Sequence, residues 1–485
     1  VPADIRLNGG YVSQTLNSAD KYIREVIGDL PVLETAAITI SELCEVLGAE
    51  MPEGVDDRAL SRLCSRAVDV TDGSGYFGIT ANEDAELEKA RKKGAAVIIT
   101  DRQVGELPCI VVDDIDEAYC KAYSHLRSRF DCKTVAVTGT EGRSEAKEIL
   151  EKLIGESFIS LCSPAKWDNR HSGMLVMQQL RRYHEVYVQE VCADEEKSAS
   201  MMSRAIMPDY AVISDIGQIS AESLLEITDG MQAGGVLFVN GDDAQLMDSV
   251  RSYAGDKLRV VTFGINADKL DFRAEKLSCD GKKLRFDIVY GDNRAEVEFP
   301  YPVKTSAYSI LAAFAVGLEC GADVNMMLSA IGSFESKGLR QNILEYEGLK
   351  LFIDCRSATP ASMRASIEGF CSMPVKMGAS RIAVLGDMQP CENSKEEHIK
   401  IGQLVATTKI DWLFCIGSES ERICSAAVEA GFNPKRAKHF KTKRALELEL
   451  CRLLKQGDAL LIKGDRRMYL NTTVRKLFGI NYYMD

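Results

Sequence analysis

The chain has 485 residues, of which 46% are hydrophobic and 27% are charged, and its net charge is −13. This length predicts two to four domains, because a single hydrophobic core stops growing at roughly 250–300 residues. The negative charge argues against nucleic acid or anionic membranes as main partners, since both attract basic surfaces. Fifteen cysteines occur without a CxxC pair, which favours reduced thiols over a disulfide framework or a zinc site.

The longest apolar stretch, residues 307–318, is too short to span a bilayer, which needs about 20 apolar residues. It is typical of a buried helix. Together with the acidic charge, it predicts a cytoplasmic protein that does not insert into membranes.

The first third of the chain predicts a polar extension and then a small α/β unit. Residues 1–37 are polar, with one weak helical pattern over residues 19–30. ITISELCEVLGA, from Ile38, favours a short helix after a strand or turn. Residues 94–100 and 109–114 are short apolar runs typical of buried strands, preceded by a helical pattern over residues 84–93.

The rest of the chain alternates between strand and helix patterns. Five strand candidates follow Lys133, namely TVAVTG, VYVQEV, YAVIS, VLFVN and VVTFG, and a hairpin is expected around Gly291–Asp292. A third series, LKLFID, RIAVLGD, WLFCIG and ALLIKGD, follows Gly338. Such alternation predicts an α/β fold with mainly parallel sheets. The predicted divisions are an extension over 1–37 and domains over 38–132, 133–337 and 338–485.

The segment VTGTEGRSEAKEIL, residues 137–150, has the outline of a phosphate-binding loop between a strand and a helix. Free N–H groups at a helix N-terminus bind anions, and Gly139 and Gly142 allow a tight turn there. The hydroxyl of Ser144 is of the type that such loops present to Mg²⁺.

The charged side chains of this segment oppose that interpretation. Arg143 replaces the compact lysine usual in such loops, and Glu141 and Glu145 flank it. Each acid about 6 Å from a phosphate charge costs roughly 3 kcal/mol at an effective dielectric constant near 20. The loop by itself therefore leaves nucleotide binding and a purely structural role equally open.

Six stretches, in order along the chain, resemble the Mur ligase family. TGTEGRSEAKEIL, from Thr138, is similar to the family's TGTNGKTTTKEML. The others are DYAVISDIG, FVNGDDAQL, FIDCRSATPASM, AVLGDM with His398 downstream, and GDALLIKGDRRM. The similarity covers most of the chain from Ile38 onward. It implies three domains: one that holds a UDP-sugar, a central ATPase domain with a P-loop-like, mostly parallel sheet, and a C-terminal nucleotide-fold-like ligase domain.

The resemblance also implies an activity and a set of site residues. The family forms amide bonds with ATP and Mg²⁺ in peptidoglycan precursor synthesis, and this chain is most similar to the branch that adds D-alanyl-D-alanine to a UDP-MurNAc-tripeptide. The implied Mg²⁺ ligand is Glu190. The implied nucleotide-binding residues are Gly139, Thr140, Gly142, Arg143, Ser144, Asn240, Arg340 and Asp354. The implied substrate-binding residues are Ser65, Arg66, Asn169, Lys463 and Arg466.

Several positions depart from the family pattern, and no catalytic residue is assigned. Gln218 stands for a histidine, Leu225 for the carbamoylated lysine, and the family's HNxxN is TSAYS here. Thr359 and Trp167 replace two asparagines. These changes affect groups that hold metal and phosphate.

The departures predict that ATP and Mg²⁺ bind weakly or not at all. The favoured hypothesis is a weakly active or non-catalytic protein that binds a UDP-MurNAc-peptide-like ligand or a protein partner. The alternative is an active ATP-dependent ligase that adds D-alanyl-D-alanine or another amine to such an acid.

Overall fold

A computed structural model describes residues 38–79, 84–164, 167–193, 197–217, 219–253, 257–336, 338–391 and 393–480. The expected extension over 1–37, its helical pattern and Gln218 lie outside the described residues. Three β-sheets follow one another along the described chain.

The first sheet has four parallel strands in the order β1-β2-β3-β4. Three helices cover it, and the one nearest the next sheet begins at Asp114, whose side chain accepts a hydrogen bond from the Glu117 N–H. The elements are α1 Ile40–Leu47, β1 Leu63–Cys64, β2 Ser74–Phe77, α2 Asp84–Lys92, β3 Ala95–Thr100, β4 Cys109–Val111 and α3 Ile115–Arg127.

The middle sheet has nine strands in the order β13-β12-β11-β10-β9-β8-β5-β7-β6. All neighbouring pairs from β6 to β11 are parallel, whereas the pairs β11–β12 and β12–β13 are antiparallel. The strands are β5 Lys133–Thr138, β6 Ser160–Cys162, β7 Val186–Glu190, β8 Tyr210–Ile213, β9 Val236–Asn240, β10 Arg259–Gly264, β11 Phe272–Cys279, β12 Leu284–Tyr290 and β13 Asn293–Phe299. The helices are α4 Arg143–Ile154, α5 Arg170–Met177, α6 Ser198–Ile206, α7 Ala221–Leu225, α8 Ala244–Tyr253, α9 Ser306–Cys320 and α10 Val324–Gly332.

The third sheet has six strands in the order β14-β15-β19-β16-β17-β18, and only β14 is antiparallel to its neighbour. Its strands are β14 Asn342–Tyr346, β15 Leu349–Asp354, β16 Arg381–Gly386, β17 Trp412–Ile416, β18 Ala437–Phe440 and β19 Ala459–Lys463. Its helices are α11 Pro360–Ser372, α12 Ser394–Ala406, α13 Glu421–Glu429, α14 Lys443–Leu453 and α15 Asn471–Phe478.

The expected strands and the hairpin at Gly291–Asp292 are confirmed, and so is the mainly parallel α/β fold. The apolar stretch 307–318 lies in α9, whose side chains are buried almost throughout. Among the described residues, no helix is both long and apolar enough to cross a bilayer. The divisions at residues 132 and 337 stay a prediction.

The carboxyl ends of β5, β7 and β8 lie side by side in the middle sheet, and α4 starts from the end of β5. Helix α4 packs its apolar face, including Ile149 and Leu153, with Leu311 and Phe314 of α9 in one buried cluster. This packing fixes the start of α4 beside the start of α9. Polar residues at these ends therefore converge on one place, as is usual in parallel α/β sheets.

Candidate functional site

A cleft of about 1120 Å³ lies where the strand ends of the middle sheet face the third sheet. Most of the sequence-predicted site residues line it, and they come from segments far apart in the chain. They are Gly139, Thr140, Gly142, Arg143, Ser144, Asn169, Glu190, Asn240, Arg340, Asp354, Lys463 and Arg466. Ser65 and Arg66 lie outside its lining.

The loop between β5 and α4 has the tight turn that the sequence predicted. Gly139 has φ +131° and Gly142 has φ +71°, both in the region that favours glycine. A Cβ on Gly139 would lie 2.0 Å from the Ser214 Oγ, so the loop packs directly on the end of β8. The backbone is thus shaped like a phosphate cradle.

A carboxylate of the protein itself occupies part of this cradle. Asp215, directly after β8, accepts hydrogen bonds at Oδ1 from the Thr140 N–H at 2.9 Å and the Glu141 N–H at 2.7 Å. Burial raises the pKa of Asp215 to about 6, although these two amides act to lower it. In this arrangement two donors that would bind a phosphate are already paired with an acid.

The guanidinium of Arg143 is also used inside the protein. Its Nε donates to Glu190 Oε1 at 3.0 Å, and one terminal nitrogen donates to Asp168 Oδ2 at 2.9 Å. Ser144 Oγ donates to the same Glu190 oxygen at 2.5 Å. The cation of the loop and the hydroxyl beside it therefore point at protein carboxylates.

The residues around Glu190 do not fit a divalent cation. Burial acts to raise the pKa of Glu190, but the charges of Arg143 and Lys147 outweigh it, so the pKa is lowered and the carboxylate is ionised. The Oε2 atom of Glu190 is buried without a hydrogen-bond partner among the described residues, so one oxygen is left to bind a cation. The carboxylate of Asp168, which could be a second ligand, is already paired with Arg143. Mg²⁺ needs several oxygen ligands in octahedral geometry. No group of three potential acidic, histidine or cysteine ligands occurs in the described part of the chain.

Glu145 faces away from the cradle rather than flanking an anion. It is buried, and its two oxygens accept hydrogen bonds from Ser306 Oγ and Ser309 Oγ of α9, each at 2.7 Å. Burial raises its pKa, against the effect of these hydroxyls. Glu145 therefore joins α4 to α9. The repulsion of a bound phosphate that the sequence predicted would come mainly from Glu141.

Asp354 and Lys463 form a buried ion pair at the carboxyl ends of two neighbouring strands, β15 and β19. The Lys463 Nζ lies 2.7 Å from Asp354 Oδ2, and their side chains are 2% and 4% exposed. Ser366 Oγ donates to the same oxygen at 2.5 Å, and the Gln341 N–H donates to Oδ1 at 3.2 Å. Both oxygens of Asp354, which the resemblance assigns to the nucleotide, are thus bound within the protein.

Of the remaining predicted substrate residues, Arg466 is exposed at the cleft, and the other three have local partners. Ser65 Oγ lies 2.7 Å from His171 Nδ1, which joins the first sheet to α5, and Arg66 forms an ion pair with Asp69 at 2.7 Å. Burial lowers the pKa of His171 to about 4, so the ring is neutral. Asn169 caps α5 by accepting from two backbone N–H groups.

The positions where the sequence departs from the family pattern have ordinary structural roles. Leu225 is a buried apolar residue at the end of α7, and Thr359 caps α11. Thr305 is exposed at the start of α9 and lines the cleft. Trp167 is partly buried against apolar residues of the first two sheets.

Asp168, Asp215 and Arg356 are among the cleft residues that were not identified from the sequence. Asp215 could have been suspected, because it directly follows a predicted strand of a parallel sheet. Asp168 and Arg356 lie in irregular segments that carry no periodic pattern.

Two family comparisons match successive parts of the chain. Residues 137–317 match the family described as the Mur ligase middle domain, and residues 340–466 match the Mur ligase, glutamate ligase domain. The chain belongs to the Mur ligase family.

Two relatives that match most of this chain have the same name. The chain is 24% identical over 407 residues, 81% of this chain and 86% of the relative, to the UDP-N-acetylmuramoyl-tripeptide--D-alanyl-D-alanine ligase of Bacillus subtilis. It is 23% identical over 459 residues, 91% of this chain and 98% of the relative, to the protein of that name in Escherichia coli.

Solved structures show the same fold. MurF from Acinetobacter baumannii superposes with a TM-score of 0.79 at 19% identity, over 92% of this chain and all of that chain. MurF ligase from Thermotoga maritima, solved with ADP, gives a TM-score of 0.72 at 20% identity, over 86% of this chain and 96% of that one. The three-domain Mur ligase architecture, α/β with mostly parallel sheets, is therefore that of this chain.

Proposed function

We propose that this Mur ligase family protein acts in peptidoglycan precursor synthesis as a binding or regulatory protein with little or no ATP-dependent ligase activity. The contacts of Arg143 carry the proposal. Its guanidinium lies between Glu190 and Asp168, so the loop's cation neutralises protein acids instead of a polyphosphate. The pairing of Asp215 with two loop amides supports the same conclusion.

The ligand proposed for the cleft is a UDP-MurNAc-peptide-like molecule, as the names of the relatives suggest. The first sheet is the proposed position of the UDP-sugar, with Ser65 and Arg66 near it. A protein partner remains the other proposed ligand. Nucleic acid does not suit a chain with a net charge of −13.

An active ATP-dependent ligase is the second candidate, and one observation favours it. Asn240, Arg340 and Asp354, which the family resemblance assigns to the nucleotide, line one cleft although they come from two different sheets. A nucleotide would then have to displace Asp215 from the loop amides and separate Arg143 from its two acids.

The deciding experiment is a ligation assay with UDP-MurNAc-tripeptide, D-alanyl-D-alanine and Mg-ATP, with the Escherichia coli relative as the positive control. We expect no amide product above background, while calorimetry still detects binding of the tripeptide precursor. Product formed at an ordinary enzymatic rate, roughly 1 per second or more, would establish the second candidate instead.

A further inference from the structure

Among the described residues, two half-buried guanidinium groups face the cleft without a hydrogen-bond or ion-pair partner. Arg340 and Arg356 both line it, and neither side chain makes a hydrogen bond or ion pair with another described residue. Arg356 is half-buried rather than extended into solvent. Buried or half-buried cations are normally paired, so two unpaired guanidiniums in one cleft need an explanation.

The backbone brings these two arginines together. The N–H of Cys355 donates to the carbonyl of Leu339 at 2.9 Å, so the segments that carry Arg340 and Arg356 run side by side past the end of β15. Burial lowers the pKa of Arg356, and the neighbouring charge of Arg340 lowers it further. Their mutual repulsion is a cost that a bound anion would remove.

Three acids act on the charge of Arg356: Glu148, which has the largest effect and does not line the cleft, and Glu190 and Asp168, which are already engaged. Asp168 and Glu190 form their hydrogen bonds with Arg143, so they contribute only a longer-range attraction to the charge of Arg356. Arg143 already bonds Glu190, the implied Mg²⁺ ligand, so the positive charge beside these acids comes from protein side chains.

We propose that Arg340 and Arg356 form a binding site for an oxyanion, a carboxylate or phosphate group of the cleft's ligand, that works without a divalent cation. Guanidinium groups suit this ligand class because their planar N–H forks bind such groups through paired hydrogen bonds. The inference rests on the proposed function, since it specifies one chemical group of the ligand that the cleft holds.

The test uses the whole protein with inorganic phosphate and with glutarate as probes, at constant low ionic strength, in EDTA and in Mg²⁺. Calorimetry and thermal unfolding should show saturable binding of at least one probe, equally strong in EDTA and in Mg²⁺. Arg356→Gln should weaken it about tenfold or more, which corresponds to one or two charge-assisted hydrogen bonds. Arg356→Lys, which keeps the charge but not the fork, should lie between. Arg364→Gln, on the exposed side of α11, is the matched control.

Binding of phosphate alone would assign a phosphate group to the site, and binding of glutarate alone would assign a carboxylate. The inference is wrong if neither probe binds, if binding requires Mg²⁺, or if Arg356→Gln behaves like Arg364→Gln. Ligase turnover would refute the proposed function and leave the probe measurements to decide on this site separately.

Discussion

At the scale of single residues, many polar groups of the cleft form hydrogen bonds or ion pairs with other residues of the protein. The loop amides, Arg143, Ser144 and Asp354 all have protein partners. Internal hydrogen bonds of this kind compete directly with a ligand, because each must be broken before a new one can form.

Removing the carboxylate of Asp215 should expose the cradle. Asp215→Ala leaves the Thr140 and Glu141 amides without their acceptor and is expected to destabilise the protein by about 1–3 kcal/mol. It should also bind pyrophosphate at least about tenfold more tightly than the wild type, since a repulsive charge is removed and two donors are freed. Calorimetry measures the affinity, and Asp248→Ala at an exposed position of α8 is the control. Equal affinity in the two variants would mean that Asp215 does not block the loop.

Glu141 should make stability depend on pH near neutrality. Burial raises its pKa from 4.5 to about 7, and the charge of Asp215 adds to this effect. The folded state therefore holds a proton between about pH 4.5 and 7 that the unfolded state has released, so this contribution to stability is lost as the pH rises through 7. Glu141→Gln should consequently gain stability relative to the wild type between pH 5 and 8.

The measurement is the free energy of unfolding from urea titrations across that pH range. Glu156→Gln, at an exposed position two residues after the end of α4, controls for the loss of one carboxylate elsewhere. A stability difference between Glu141→Gln and the wild type that stays constant from pH 5 to 8 would contradict the prediction.

At the scale of elements, the ion pair between Asp354 and Lys463 joins the carboxyl ends of β15 and β19, two inner strands of the third sheet. Lys463→Met leaves the carboxylate of Asp354 buried and uncompensated, which should cost about 3–5 kcal/mol. The double variant Lys463→Met with Asp354→Asn should be more stable than the single variant, because no buried charge is left. Chemical denaturation measures both, and Lys435→Met, at an exposed position after α13, controls for loss of an exposed lysine. A double variant less stable than the single one would exclude this explanation.

At the scale of the whole molecule, helix α11 of the third sheet contacts the part of the chain that forms the middle sheet at both of its ends. In the cleft, the Thr359 hydroxyl at the start of α11 donates to the carboxyl of Glu141. At the other end of α11, Gly281 lies close to Ser372. A Cβ placed on Gly281 would be 1.9 Å from the Ser372 carbonyl oxygen.

The second contact can be tested with two glycines in similar backbone conformations. Gly281 has φ +79° and Gly291 has φ +52°, but a Cβ on Gly291 would meet nothing within 4 Å. Replacement by alanine should cost about 1–2 kcal/mol at either site through backbone strain. Only Gly281→Ala should cost more than this and increase the radius of gyration, because it pushes the sheets apart. Chemical denaturation and small-angle scattering distinguish the two, and identical behaviour would mean that the sheets are not held at Gly281.

The sequence by itself determined the strands, the parallel α/β class and the glycine turn after β5, because each depends on the residues of one short segment. Apolar runs and their spacing carry that information locally. The family resemblance also identified twelve residues that line one cleft.

Only the tertiary structure decided what those residues contact. Arg143 meets Glu190 across 47 residues of chain, and the loop amides meet Asp215 across 75. Whether a charged side chain faces a ligand or a protein acid depends on which distant strand ends become neighbours in the sheet, and no local pattern encodes that choice. For the same reason, the closeness of Arg340 and Arg356 follows from the tertiary hydrogen bond between Cys355 and Leu339 and not from a local pattern.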